Sequence, residues 1–126
     1  DILDIWRGHI GEHIVAQELL ALNYKVSQRR SFWARDRKES AAEVDFIYLL
    51  DSKVYPIEVK TGNNSSLRSL HSFMDDSPLD IAVRVWSGPF SVDEVYTIHK
   101  RKLFRLINLP FYLICNIEQI LRNIEA

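Results

Sequence analysis

The sequence predicts a mixed α/β domain in which a partly parallel sheet is flanked by helices. Amphipathic helical patterns cover residues 2–22 and 111–124, and runs rich in β-branched and aromatic residues lie between them. A short helical pattern at residues 67–74 separates two of these runs and predicts a crossover between parallel strands. The expected order is αββ(β)αββα, with an antiparallel first part of the sheet.

The first helix is predicted from apolar residues that recur every three or four positions through residues 2–22, with Asn23 as its end. Gly8 and Gly11 each lower helix propensity by about 1 kcal/mol relative to alanine. Their shared face is therefore expected to be approached closely by another part of the chain. Strand-like alternation follows within residues 24–33, and a charged loop or hairpin tip is expected at residues 34–40.

Two strands are predicted next, at residues 43–50 and 54–60, joined by a turn at Asp51 and Ser52. Residues 67–74 form the short helix, and residues 81–86 read as a mostly buried strand that pairs in parallel. A short strand is expected at residues 95–98. A basic stretch then leads to Pro110, which suits the first turn of a last helix over residues 111–124.

Length and composition indicate one globular domain over residues 1–126. Hydrophobic residues make up 47% and charged residues 26% of the chain, which excludes collagen-like, low-complexity and disordered classes. The formal net charge is -1, so nucleic-acid binding would need a local basic patch rather than an overall positive field.

Several cues predict a cytoplasmic protein. The single cysteine, Cys115, rules out an internal disulfide and is expected to be a small core residue. No apolar run reaches the ~20 residues of a membrane span, and no secretory signal is visible. The chain begins at Asp1 rather than methionine, which suggests a piece of a longer protein. Its four glycines match neither of the two common phosphate-binding loop patterns, GxxxxGK[ST] and GxGxxG.

The residues that carry chemistry are Asp45, Glu58 and Lys60, on two consecutive predicted strands. Side chains alternate across a sheet, so Glu58 and Lys60 project from the same face. A turn of two or four residues places Asp45 opposite Glu58, whereas a three-residue turn sends Glu58 to the other face. Two adjacent carboxylates repel each other unless a cation lies between them.

Such a pair suits Mg²⁺ or Mn²⁺, because hard cations take oxygen ligands and Mg²⁺ retains waters that leave room for a phosphate oxygen. The metal could polarise a phosphodiester and activate a bound water. Asp45 and Glu58 would ligate it, with the main-chain carbonyl of Val59 as a third ligand. Lys60 would orient the attacking water or stabilise developing charge.

The segments EVDF at residues 43–46 and PIEVKTG at residues 56–62 resemble the PD-(D/E)xK nuclease superfamily, with Val44 where the namesake proline would stand. More narrowly, the chain is similar to the domain of unknown function 4143, a nuclease-like C-terminal domain of prokaryotic AAA-type ATPases. The segments that carry the closer resemblance are residues 8–20, 43–47, 56–62, 66–70 and 109–113.

The resemblance implies a restriction-endonuclease-like αβββαβ core with a mixed central sheet flanked by helices, here followed by an extra C-terminal helix. It implies a catalytic site of Glu12, Asp45, Glu58 and Lys60, with Glu12 binding the metal through water or holding Lys60. It also implies an N-terminal ATPase domain, which this chain does not contain.

Two other functions remain open. The domain could be an inactive nuclease-fold module that binds nucleic acid or protein for the attached ATPase. It could instead mediate homo-oligomerisation through the apolar last helix.

For several other residues, ordinary solvent exposure is an alternative to a binding role. His9 and His13 are spaced for a transition metal but lack a HExxH pattern, which favours surface histidines. The basic stretches at residues 29–38 and 100–105 could follow a phosphate backbone or simply be solvated.

Overall fold

The computed structural model of the chain describes residues 2–25, 31–34, 44–61 and 66–126. The described elements are, in order, α1 Ile2–Lys25, β1 Ser31–Ala34, β2 Phe46–Leu50, β3 Lys53–Val59, α2 Arg68–Asp75, β4 Ile81–Trp86, β5 Ser91–Tyr96, β6 Leu103–Pro110, a 3₁₀ segment Phe111–Asn116 and α3 Ile117–Glu125. The first six elements follow the expected αβββαβ order, so the predicted mixed α/β fold with a C-terminal helix is confirmed.

The six strands form one mixed sheet in the order β1-β2-β3-β4-β6-β5. The β3–β4 and β4–β6 pairs are parallel, and the other three pairs are antiparallel. The antiparallel start and the parallel crossover through α2 are therefore both confirmed.

Each face of the sheet is covered by helices over its own apolar cluster. On one face, Val15 and Leu19 of α1 and Ile117 and Leu121 of α3 pack with the main core. On the other face, Leu70 and Met74 of α2 pack in a smaller cluster, which also contains Ala82 and Leu106. The result is a three-layer arrangement in which the parallel strands β3, β4 and β6 are largely buried on both faces.

The largest error of the sequence interpretation is β6, which was not predicted. The sequence predicts only a basic stretch leading to Pro110, whereas residues 103–110 form an eight-residue strand between β4 and β5. The alternation is hidden because Arg105 interrupts the apolar residues. Its guanidinium reaches the end of α3, where it donates a 3.3 Å hydrogen bond to the carbonyl of Ile124.

Smaller differences concern element ends. The first helix continues past Asn23 to Lys25, and β5 begins at Ser91 rather than near residue 95. The last helix begins at Ile117, since Pro110 ends β6 and a 3₁₀ segment follows it. Of the loop predicted at residues 34–40, Ala34 instead ends β1, and residues 35–40 lie outside the described residues, as do residues 26–30 of the first predicted strand region.

Cys115 is exposed, so its prediction as a core residue was wrong. The 3₁₀ segment turns Ile114 inward, and α3 does the same with Ile117, which leaves Cys115 on the outer side. Among the helices of the described ranges, none has the length and apolar character needed to cross a lipid bilayer.

Candidate functional site

The turn between β2 and β3 sets the register of the candidate site. Pairing continues to Leu50 and Lys53, so two residues form the turn, and both have positive φ, 51° and 67°. Such two-residue turns match the natural twist of a hairpin. Counted along this pairing, Asp45, the residue just before β2, aligns with Glu58. The even turn that the sequence hypothesis required is therefore present.

Asp45 lies against the backbone of β3. Its Oδ2 accepts a 2.9 Å hydrogen bond from the main-chain N–H of Val59, and the residue is only 5% exposed. The next residue, Lys60, directs its N–H the other way, to the carbonyl of Val85 on β4. Since the N–H and C=O of one residue in an extended strand point to the same side, the Val59 carbonyl is also directed toward Asp45.

Glu58 and Lys60 project together from the sheet, as alternation predicts. Oε1 of Glu58 lies 3.6 Å from Nζ of Lys60. The Glu58 side chain is 6% exposed and that of Lys60 is 23% exposed, so the carboxylate is buried while the ammonium reaches solvent. A buried carboxylate is costly unless a cation or hydrogen-bond donors compensate it, and Lys60 supplies part of that compensation.

Glu12 approaches this region from α1. An added Cβ at Gly11 would lie 2.6 Å from Cγ2 of Thr61, and one at Gly8 would lie 3.8 Å from Oγ1 of Thr61. Thr61 therefore packs closely against the face of α1 that carries Gly8 and Gly11, which confirms the close approach expected from the sequence. Glu12 is four residues beyond Gly8 and so shares its side of the helix. Thr61 follows Lys60, so this part of α1 packs against the segment in which the candidate site ends.

The oxygen donors suit a hard divalent cation held by few protein ligands. The carboxylates of Asp45 and Glu58 are in register, and the Val59 carbonyl is directed toward the first of them. Mg²⁺ is commonly held by one or two carboxylates and several waters, so this set fits it. Within the described ranges, no group of three or more His, Cys, Asp or Glu residues could hold a metal. Glu12 is therefore not brought together with Asp45 and Glu58 as a third direct ligand.

A polar row crosses the sheet at the level of Glu58. Glu58 pairs with Arg84 of β4, Arg84 pairs with Asn108 of β6, and Asn108 pairs with Ser91 of β5. Nε of Arg84 donates a 2.7 Å hydrogen bond to Oδ1 of Asn108. Nδ2 of Asn108 donates 2.9 Å hydrogen bonds to Ser91 Oγ and to Asp93 Oδ2.

Arg84 is also held from the side by Trp86. Its guanidinium carbon lies 4.1 Å from the centre of the indole ring, within cation–π range. The indole donates a 3.0 Å hydrogen bond to the carbonyl of Pro89, and it lies so close to Gly88 that an added Cβ would sit 2.5 Å from the ring. Burial lowers the pKa of Arg84, while Asp93 raises it; a guanidinium nevertheless stays charged at neutral pH.

The sequence interpretation missed Arg84 and Asn108. Each is a lone polar residue within an apolar strand, Arg84 between Val83 and Val85 and Asn108 between Ile107 and Leu109. A polar residue in a strand buried on both faces needs partners. That signal was available, but the partners could not be named before the β4–β6 pairing was known.

The basic residues at 100–105 serve the fold itself. Lys102 donates hydrogen bonds to three main-chain carbonyls, at 3.0 Å to Met74, at 2.6 Å to Leu79 and to Ser77. Lys100 pairs with Asp76 at 3.2 Å, and the Arg101 guanidinium lies over the Tyr96 ring. These contacts favour a structural role over a phosphate-binding one.

His9 and His13 are both exposed, as the surface interpretation predicted. The apolar residues of the last helix are used inside the domain, because Ile117 and Leu121 are buried and Ile120 and Ile124 pack against the same core. The observation that suggested oligomerisation through this helix is thus explained within one chain.

Comparison with protein families places the chain. A family model described as a domain of unknown function, DUF4143, matches residues 7–111. The chain belongs to the DUF4143 family. The matched region begins in α1 and ends just after β6, so it contains the Asp45–Glu58 pair and the whole polar row. No curated protein and no solved structure matches the chain.

Proposed function

We propose that this DUF4143 domain binds Mg²⁺ or Mn²⁺ and hydrolyses phosphodiester bonds of nucleic acid. One observation carries the proposal: two carboxylates, Asp45 and Glu58, each 5% exposed, align on neighbouring strands with Lys60 beside one of them. Burying two carboxylates side by side is unfavourable because they repel each other. A divalent cation between them would remove that repulsion.

The residues have distinct roles in this proposal. Asp45, Glu58 and the Val59 carbonyl hold the metal, which when bound supplies Lewis-acid polarisation of the phosphodiester. Lys60, the more exposed partner, orients a water or stabilises negative charge near the carboxylates. Glu12, beside Thr61, positions Lys60 or a water rather than ligating directly. The resemblance to PD-(D/E)xK nucleases supports the same assignment.

We further propose that the domain acts together with an N-terminal ATPase domain of the same protein, as its resemblance to the nuclease-like C-terminal domain of AAA-type ATPases implies. In that arrangement the nuclease-like domain would engage the nucleic acid, and the ATPase would couple that engagement to nucleotide hydrolysis.

A specific observation favours a second candidate, a binding module without catalysis. Asp45 already accepts a hydrogen bond from Val59, and Glu58 already has an ion-pair partner in Lys60. Both carboxylates are thus partly compensated without metal. In this alternative the fold binds nucleic acid or protein for the ATPase, and the carboxylates stabilise the hairpin end.

Calorimetric titration with MnCl₂ and a cleavage assay separate the two candidates. The wild-type domain is titrated first and then incubated with labelled DNA and RNA in Mg²⁺ or Mn²⁺. Asp45→Asn removes the charge but keeps an oxygen that can accept the Val59 hydrogen bond, so it is expected to disturb the fold less than Asp45→Ala. Glu94→Gln, at an exposed position on β5, is the matched control.

Metal binding and cleavage that are lost in Asp45→Asn and kept in Glu94→Gln support the nuclease proposal. Cleavage that survives Asp45→Asn would show that another site, or a contaminant, performs the reaction. Absence of metal binding together with retained nucleic-acid binding would select the non-catalytic module.

A further inference from the structure

Arg84 has hydrogen-bond donors that the described contacts leave unused. A guanidinium has five N–H donors, and Arg84 uses the one on Nε for Asn108. Within the described part of the chain, its two Nη groups make no hydrogen bond to a protein group and no ion pair within 4 Å. The side chain is half-buried, so these four donors sit at the protein surface rather than in bulk solvent.

The side chain is also fixed before any ligand arrives. Asn108 holds Nε at 2.7 Å, and Asn108 is itself held by Ser91 and Asp93. On the other side the Trp86 ring supports the guanidinium plane at 4.1 Å. A long arginine side chain normally loses considerable rotamer entropy on binding, and a preformed arrangement avoids that loss.

The neighbours of Arg84 on the sheet indicate which class of ligand it could bind. Arg84 is the register partner of Glu58 on the next strand, and neighbouring strands lie about 4.8 Å apart across a sheet. Lys60 projects from the same face two residues further on. A planar guanidinium recognises phosphate through two parallel N–H···O bonds, and Lys60, which pairs with Glu58, lies on the same face of the sheet.

We propose that Arg84 binds a phosphodiester group of a nucleic-acid strand, next to the Asp45–Glu58 pair, with Asn108 and Trp86 as its positioning residues. The inference rests on the proposed function for the identity of the strand. It extends that function by assigning a strand-binding contact to β4, on the far side of Glu58 from β2. The ligand chemistry is the phosphodiester shared by DNA and RNA.

Binding is measured without catalysis. Fluorescence anisotropy follows labelled single-stranded DNA and RNA of the same sequence, in EDTA, at several salt concentrations. Arg84→Gln is expected to weaken binding about tenfold, as loss of a charge-assisted contact does. The slope of log affinity against log salt is expected to decrease by about 0.7, the value for one phosphate contact to a single strand.

Matched variants separate a binding role from general charge. Arg101→Gln removes the same charge from an exposed residue beyond the opposite end of β6, and is expected to change affinity less than twofold. Arg84→Lys keeps the charge but loses the planar fork, so it should lie between wild type and Arg84→Gln. Trp86→Leu keeps every charge and should weaken binding several-fold with an unchanged salt slope.

Distinct results overturn the inference. Equal losses of affinity in Arg84→Gln and Arg101→Gln would show that only non-specific charge contributes to binding. Wild-type protein that binds neither DNA nor RNA would also contradict the inference. Circular dichroism and thermal unfolding identify variants that fail to fold, in which case Arg84→Lys and Trp86→Leu decide. If binding depends on Arg84 but no metal-dependent cleavage occurs, this inference holds and the hydrolytic proposal fails. If the domain cleaves nucleic acid but Arg84→Gln does not change binding, the hydrolytic proposal holds and this inference fails.

Discussion

Asp45 accepts its 2.9 Å hydrogen bond from the main-chain N–H of Val59, the residue that follows Glu58. Because β2 begins one residue later, at Phe46, this bond replaces a strand-to-strand bond at the end of the sheet. Because Asp45 closes the end of the hairpin and also aligns with a second buried carboxylate, substitutions of Asp45 are expected to affect both the stability of the fold and the candidate site.

This relationship predicts that two substitutions of Asp45 will differ in stability. Asp45→Ala leaves the buried Val59 N–H without an acceptor and should lower the free energy of unfolding by about 1–3 kcal/mol. Asp45→Asn retains an acceptor and should cost less. Urea denaturation of both variants measures the difference. Equal destabilisation would show that charge, rather than the hydrogen bond, maintains the hairpin end.

Lys102 is expected to stabilise the connection between α2 and β4. Its ammonium donates to the carbonyls of Met74, Ser77 and Leu79, which lie at the end of α2 and in the following turn. Lys102→Met should lower the free energy of unfolding by roughly 2–3 kcal/mol, because three carbonyls lose a charged donor.

Lys100→Met is the control for Lys102→Met in the same denaturation experiment. Lys100 pairs with Asp76 at the surface, where both side chains are more than 60% exposed, so its loss should cost about 0–1 kcal/mol. Similar costs for the two lysines would contradict a specific role for Lys102.

The two glycines of α1 are expected to respond in opposite directions to alanine. At Gly8 the nearest atom to an added Cβ is 3.8 Å away, so Gly8→Ala should stabilise the domain by up to about 1 kcal/mol through helix propensity. At Gly11 the added Cβ would meet Thr61 at 2.6 Å and the Phe111 ring at 3.2 Å. Gly11→Ala should therefore destabilise by about 1–3 kcal/mol.

Thermal unfolding of the two glycine variants, compared with wild type, measures this contrast. If Gly11→Ala were as stable as Gly8→Ala, α1 would not pack against Thr61 as closely as the structure shows.

His71 predicts a pH dependence of stability. Burial lowers its pKa below the ordinary value of about 6.5, with Asp75 raising it to a smaller extent, and its Nδ1 is buried without a hydrogen-bond partner in the described structure. The unfolded chain thus takes up a proton at higher pH than the folded domain. Stability should fall as pH decreases below about 6.5 and level off once the folded form is also protonated.

His71→Gln should reduce this loss of stability, because the variant has no titrating group at that position. Urea denaturation at pH 7.5 and pH 5.5 tests it, with His99→Gln as the exposed control. A pH dependence that is identical in wild type and His71→Gln would assign the acid sensitivity to other groups.

The sequence by itself determined the local features of this protein. Helical periodicity located α1, the apolar run located β4, and strand alternation placed Glu58 and Lys60 on one face. The turn at Asp51 and Ser52 was predicted from local residue preferences. Its two-residue length, one of the alternatives that the sequence left open, is what brought Asp45 into register with Glu58. These features depend on neighbours in the chain, whose spacing the sequence states directly.

Only the tertiary structure decided where β6 lies and what Arg84 contacts. The β4–β6 pairing joins residues more than twenty positions apart, such as Arg84 and Asn108. Basic residues in and before β6 hide its strand pattern in the sequence. In the structure, the long side chains of Lys102 and Arg105 reach the ends of α2 and α3, respectively. Hydrophobic periodicity indicates which residues of one element can be buried together. Which strands pair when they are distant in the sequence is determined by the packing of the whole sheet.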